Sequence, residues 1–152
     1  MTDETNAGRQ PRGLLVLRTV AMPKDANPNG DIFGGWILAQ MDLAGGLMAK
    51  QIAGSRTVTV TIDKIEFKRP VHVGDAIGIH AELLRVGNSS MDVQLEVWAK
   101  TLPQDYAIED HLVTEGLFRY VSIDEQHRPR RIPDNPAFFT RSGSTFELRL
   151  ED

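Results

Sequence analysis

No cysteine occurs among the 152 residues, which removes disulfides, thiolate metal sites and cysteine nucleophiles at once. Charge of one sign is also scarce. Lys and Arg number 17 against 21 Asp and Glu, and the resulting formal charge of −4 is too weak a field to recruit nucleic acid or an anionic membrane. Long apolar runs are missing too, because Asp, Gln or Lys interrupts each one well short of a membrane span. Residues 1–12 are polar and lack the apolar segment of a signal peptide, so a disordered lead-in and a cytoplasmic location are expected. What remains is ordinary globular material. With 41% apolar and 25% charged residues, the length suits one compact domain with a real core.

The hydrophobic period changes once along the chain. Residues 14–22 are β-rich, and the Pro, Asn, Asp and Gly of residues 23–33 mark a loop. A helix is expected from Gly34 to about Ile52, with Gly54 as its stop. Beyond it Val58, Val60 and Ile62 alternate with threonines, which predicts a half-buried strand, and a phase slip after Asp63 predicts a bulge. Residues 76–86, 89–100 and about 108–123 read as three more strands, separated by turns at Gly87–Ser90 and Pro103–Asp105. The expected fold class is α+β, a single long helix covered by a curved antiparallel sheet built as a four-stranded meander. A sheet of that kind exposes its edges, so dimerisation through an edge strand is expected.

The helix is the informative element. Ile37, Met41, Ala44, Met48 and Ile52 form one apolar stripe, which Trp36, Leu43 and Leu47 widen, so a largely buried helix is expected. The remaining face carries Leu38, Ala39, Asp42, Gly45, Gly46 and Ala49, small residues around one carboxylate. Two mid-helix glycines cost about 1 kcal/mol each relative to Ala, which points to close approach by a ligand or another backbone. Two readings of Asp42 stand at this point. It is a partly desolvated base, or it is a structural carboxylate that caps a loop or pairs with a cation of a neighbouring chain. Gly34 and Gly35 sit where the first free backbone N–H groups of the helix occur, a place suited to a developing oxyanion.

The run Ala21-Met22-Pro23, then Asn27-Pro28-Asn29-Gly30-Asp31-Ile32-Phe33-Gly34-Gly35-Trp36-Ile37-Leu38-Ala39-Gln40-Met41-Asp42, resembles the YciA-like acyl-CoA hydrolases of the hotdog-fold superfamily. The likeness continues through Arg56 to Val60, Phe67 to Val71, Val73-Gly74-Asp75, Glu96-Val97-Trp98 and Phe118 to Val121, with Pro28 standing where a small residue is expected. It implies a hotdog domain over residues 13–133, with residues 134–152 as a tail. It also implies hydrolysis of acyl-CoA to a free carboxylic acid and CoA, of the kind found in fatty acid metabolism. No separate cofactor is implied, since CoA is part of substrate and product. The implied assembly is a homodimer building block, grouped as a trimer of dimers into a homohexamer, with each site shared across the dimer interface.

Carried over residue by residue, the resemblance assigns the catalytic carboxylate to Asp42 and the oxyanion donor to Gly35, with Gly34 adjacent. Asn29 and Asp31 fall in the pocket-lining loop, and nucleotide contact is implied at Lys68, Arg69, Gly87, Ser89 and Ser90. Thr57 and Thr59 are expected beside the helix, holding the attacking water. A thioester is already activated, so a polarised carbonyl and a carboxylate suffice, acting as general base or as nucleophile. The base is preferred here. His72, His80, His111 and His127 are scattered without ligand spacing, so no metal is expected, and Arg128, Arg130 and Arg131 read as a solvated tail. Two alternatives are kept: a non-catalytic acyl-CoA-binding regulator, and a hotdog hydratase or dehydratase, which would want a His beside the acid.

Overall fold

The computed structural model describes residues 8–100, 111–142 and 145–148. The expected turn at Pro103–Asp105 and the start of the last long strand at Ile108 lie outside them. Strand β1 (Leu14–Val20) leads through a 3-10 turn at Pro23–Asp25 into helix α1 (Gly34–Ala53). Strands β2 (Arg56–Phe67), β3 (Ala76–Val86), β4 (Ser90–Lys100) and β5 (His111–Ile123) follow, and a small hairpin of β6 (Phe139–Ser142) and β7 (Thr145–Leu148) closes the described chain. α1 ends at Gly54, whose left-handed φ of 65° turns the chain away from the helix.

The five-stranded sheet runs β1-β3-β4-β5-β2 and is antiparallel throughout. This corrects the expected meander: β3, β4 and β5 follow one another, but β2 pairs with β5 and not with β3. The helix explains the jump. Its 20 residues are about 30 Å long, enough to carry the chain across four strand spacings of about 4.8 Å each. β1 and β2 therefore finish on opposite edges with α1 laid across the sheet. The apolar stripe Ile37, Met41, Ala44, Met48 and Ile52 is buried against Met91, Val93, Leu95, Val97 and Ala99 of β4, the face expected from their alternation.

One reading of the pattern is overturned and another holds. Leu43 and Leu47 remain about half exposed, so α1 is buried on one side and not around most of its girdle. On β2 it is Thr59 that reaches the helix, while Val58, Val60 and Ile62 are 38%, 47% and 45% exposed. The reason is position: β2 is an edge strand beside the polar face of α1, where Thr57 and Thr59 pair with Ser122 and Tyr120 on the inner side, and a register shift between Thr59 and Thr61 then sets Thr61 opposite Arg119 on the outer side. The bulge anticipated after Asp63 is present as a register shift between Asp63 and Glu66, and Lys64 takes a φ of 54° there.

The segments at the two ends of the sheet also pack. Arg9, within the expected lead-in, forms ion pairs with Glu96 and Glu115, and the Arg12 N–H donates to Glu96 at 2.9 Å. Beyond Pro133, Phe138 and Phe139 are buried in the core, and Asn135 Nδ2 donates to the Gln51 and Ile52 carbonyls at the end of α1.

Candidate active site

Asp42 lies in the middle of α1, half-buried, on the side that faces β2. Thr59 Oγ1 donates to its Oδ1 at 2.6 Å, and Tyr120 Oη, from β5, donates to the same oxygen at 3.1 Å. Among the described residues, the hydrogen bonds to this carboxylate all end on Oδ1, and Asp42 lines an open cleft of about 460 Å³. Leu43, Gly46, Leu47, Thr57, Lys50 and Arg56 complete the walls.

Burial raises the Tyr120 phenol far above its ordinary range, and the neighbouring Asp42 carboxylate adds to the rise. The phenol therefore stays protonated and acts only as a donor to Asp42. Gly45 makes this contact possible. A Cβ at that position would sit 2.2 Å from Tyr120 Oη and 2.9 Å from Leu95 Cδ1. One of the two mid-helix glycines thus admits a side chain of the sheet, not a ligand or a second helix. Gly46 has nothing within 4 Å of a built Cβ and borders the cleft.

The helix start occupies a separate place. Phe33 is its N-cap and offers no side-chain cap, and its carbonyl accepts from the Trp36 and Ile37 N–H groups. Among the described residues, no acceptor meets the Gly34 or Gly35 N–H. Gly34 lines a second cavity of about 350 Å³ with Ile37, Phe67, Arg69 and Pro70. Gly35 and Asp42 stand seven residues apart on one helix, about 10 Å along its axis. Within one protomer, then, carboxylate and oxyanion donors do not share a cavity.

The other sequence-derived candidates scatter. Asn29 and Asp31 belong to a turn organised by Asn27, whose Oδ1 accepts from the Asn29 and Asp31 N–H groups at 2.9 and 3.1 Å. The Asp31 carboxylate lies 3.5 Å from His72 Nδ1, so this histidine does have an acidic neighbour, contrary to expectation. Lys68 pairs with Glu66 at 3.0 Å. Gly87, Ser89 and Ser90 form the β3–β4 turn, where the Gly87 N–H donates to the Ser90 carbonyl and the Ser122 N–H to that of Ser89. Arg85 donates to Ser90 Oγ and Arg141 to the Gly87 carbonyl, which ties the turn down. Of the twelve candidates only Asp42, Thr57 and Thr59 line the Asp42 cleft. Tyr120, Lys50 and Arg56 were not singled out. The trace of Tyr120 was a glycine in mid-helix that needed a bulky neighbour, and nothing local said which residue that would be.

Among the described residues, no group of His, Asp or Glu is placed to hold a metal, and no helix is long and apolar enough to cross a membrane. Residues 29–104 match the model of the thioesterase superfamily. The acyl-CoA thioester hydrolase YciA of Escherichia coli is 46% identical over 81% of this chain and 93% of its own length. Among solved structures, HI0827, a hexameric broad specificity acyl-coenzyme A thioesterase, superposes with a TM-score of 0.79 at 45% identity, covering 84% of this chain and 86% of that one. A hexameric hotdog fold thioesterase of Campylobacter jejuni superposes at 0.75, with 41% identity over 80% of this chain and 91% of its own.

Proposed function

Because this chain belongs to the thioesterase superfamily and shares its hotdog fold, we infer that it hydrolyses acyl-CoA thioesters to a free carboxylic acid and CoA. The observation that carries the reading is the Asp42 carboxylate, held through one oxygen by Thr59 and Tyr120 in the wall of an open cleft, with its other oxygen taking no hydrogen bond from the described residues. Asp42 acts as general base. It takes a proton from water as the water oxygen attacks the acyl carbon, and the C–S bond then breaks with release of the CoA thiolate.

The developing oxyanion needs donors that one protomer does not bring to this cleft. β2 supplies a route to them, since it has a free backbone edge and exposed Val58, Val60 and Ile62. An antiparallel pair of β2 strands centred near Asp63 sets Thr59 of one protomer opposite Phe67 of the partner subunit. The cleft with Asp42 then meets the cavity that borders Gly34 of the partner subunit, and the free N–H groups of Gly34 and Gly35 complete the site. Three such dimers make a hexamer, and both solved relatives above are hexameric. Because the reaction partners are a carboxylate, backbone donors and water, no cofactor is required.

Release of free thiol from a panel of acyl-CoAs of increasing chain length tests the reading. Asp42→Asn should lower turnover by about 10²–10⁴ while far-ultraviolet circular dichroism stays native. A folded variant with near-normal release refutes the assignment, and binding without release by the native protein favours an acyl-CoA sensor.

A further inference from the structure

Two cations at the far end of the Asp42 cleft take no part in the chemistry above. Lys50 follows Asp42 by eight residues on α1, about 12 Å along the axis, and Arg56 opens β2. Both are exposed and both line the cleft. Between them and Asp42 the wall is neutral, made of Leu43, Gly46 and Leu47. Among the described residues neither cation meets a carboxylate, whereas Arg9, Arg12, Lys68, Arg85, Arg119 and Arg141 are each engaged by one.

A plainer account is that Lys50 offsets the negative end of the helix. It is incomplete on two grounds. Asn135 already donates to the terminal carbonyls of Gln51 and Ile52, and the helix end gives no reason for Arg56 on the adjoining strand. Two like charges flank this end of the concavity, and Asp42, the one acid among its described lining residues, stands about 12 Å from Lys50 along the helix, an arrangement that lowers the energy of an anion held between the cations.

We propose that Lys50 and Arg56 form an anion subsite that receives the charged end of the thioester substrate. Its chemistry suits phosphate or carboxylate oxygens, with Arg56 offering a planar fork of donors and Lys50 a mobile point charge. The proposal rests on the thioesterase reading and names which end of the substrate lies toward the C-terminus of α1. The source of the anion is either the CoA phosphates or a carboxylate at the end of the acyl group.

The test compares the native protein with the Lys50→Gln/Arg56→Gln variant on three thioesters of one chain length. These are acyl-CoA, the acyl-pantetheine that lacks phosphates, and a pantetheine thioester whose acyl group ends in a carboxylate. The preference for acyl-CoA over acyl-pantetheine in kcat/KM should collapse by about tenfold for each cation removed, with KM carrying the change. Collapse confined to the carboxylate-ended thioester also supports the subsite and identifies the acyl group as the source. Equal effects on all three substrates, or none on the charged ones, overturn it. If the native protein cleaves none of them, the functional reading fails instead. The subsite is then judged by calorimetry with adenosine 3′,5′-bisphosphate, whose binding must weaken in the variant.

Discussion

Asp42 is defined by its neighbours more than by its own surroundings. A carboxylate on an exposed helix face would sample several rotamers, but Thr59 and Tyr120 pin Oδ1 and so restrict the side chain. In the proposed reaction Tyr120 is a positioning residue, because it acts through the Asp42 carboxylate that it holds. A hydrogen bond to a charged group is worth about 1.5–3 kcal/mol, so Tyr120→Phe should lower kcat roughly tenfold or more with KM little changed. Steady-state kinetics with one acyl-CoA decide it, and a rise in KM with kcat intact would count against the role. A second residue, Asp92, gives the pH dependence. The Arg119 hydrogen bond, with help from Arg85, holds its carboxyl below the usual carboxylate range. A depressed folded-state value stabilises the fold above the unfolded value and is lost as pH falls through the folded one. Arg119→Gln should therefore lower Tm at neutral pH, with the gap from the native protein closing as the pH drops below about 4. A gap independent of pH would mean that Arg119 acts through packing alone.

At the scale of elements, the mid-helix glycines of α1 have opposite duties. Gly45 packs beneath Tyr120 and Leu95, and a methyl group there meets atoms at 2.2 and 2.9 Å. Gly46 has open space. Gly45→Ala should destabilise the protein and abolish turnover together, because it displaces the side chain that holds Asp42. Gly46→Ala should raise stability by about 0.5–1 kcal/mol through helix propensity. Urea unfolding of the two variants separates these duties, and similar midpoints for both would show that the helix shifts to accept either methyl. In the proposed reaction the helix also carries both halves of the chemistry. It offers donors at its start and a carboxylate two turns on, too far apart for one reaction centre in the same protomer.

At the scale of the whole molecule, the proposed pairing of β2 strands resolves that separation. β2 is an edge strand with three β-branched residues exposed, an arrangement that a monomer leaves open to association. Charge on an edge strand opposes pairing, so Ile62→Lys should yield a smaller species by light scattering and lose activity although Asp42 is untouched. Full activity in a monomeric variant would refute a site shared between subunits. The outer side of the sheet is occupied differently, by the Arg9–Glu96–Glu115 cluster and by Asp92 between Arg85 and Arg119. Those ion pairs let β4 bury acidic side chains on the side away from α1.

The amino-acid sequence alone determined the helix from Gly34 to Gly54, the strands after it, the bulge beyond Asp63 and the unusual standing of Asp42. Each of these is written in local terms: a period, a glycine stop, a slip of parity, a carboxylate among small residues. It did not determine which strand lies beside which, since β2 pairs with β5 although β3 and β4 lie between them in the chain. On β2, alternation reports which residues share a face, but not which face meets the helix. Tyr120 and the cations of the cleft were hidden for the same reason. Tyr120 lies 78 positions from Asp42, and only the folded sheet sets its hydroxyl against the carboxylate. The tertiary structure also decided what Gly45 is for, because the atom that requires the missing side chain belongs to a different element. Local chemistry chose the residues, and long-range packing chose their partners.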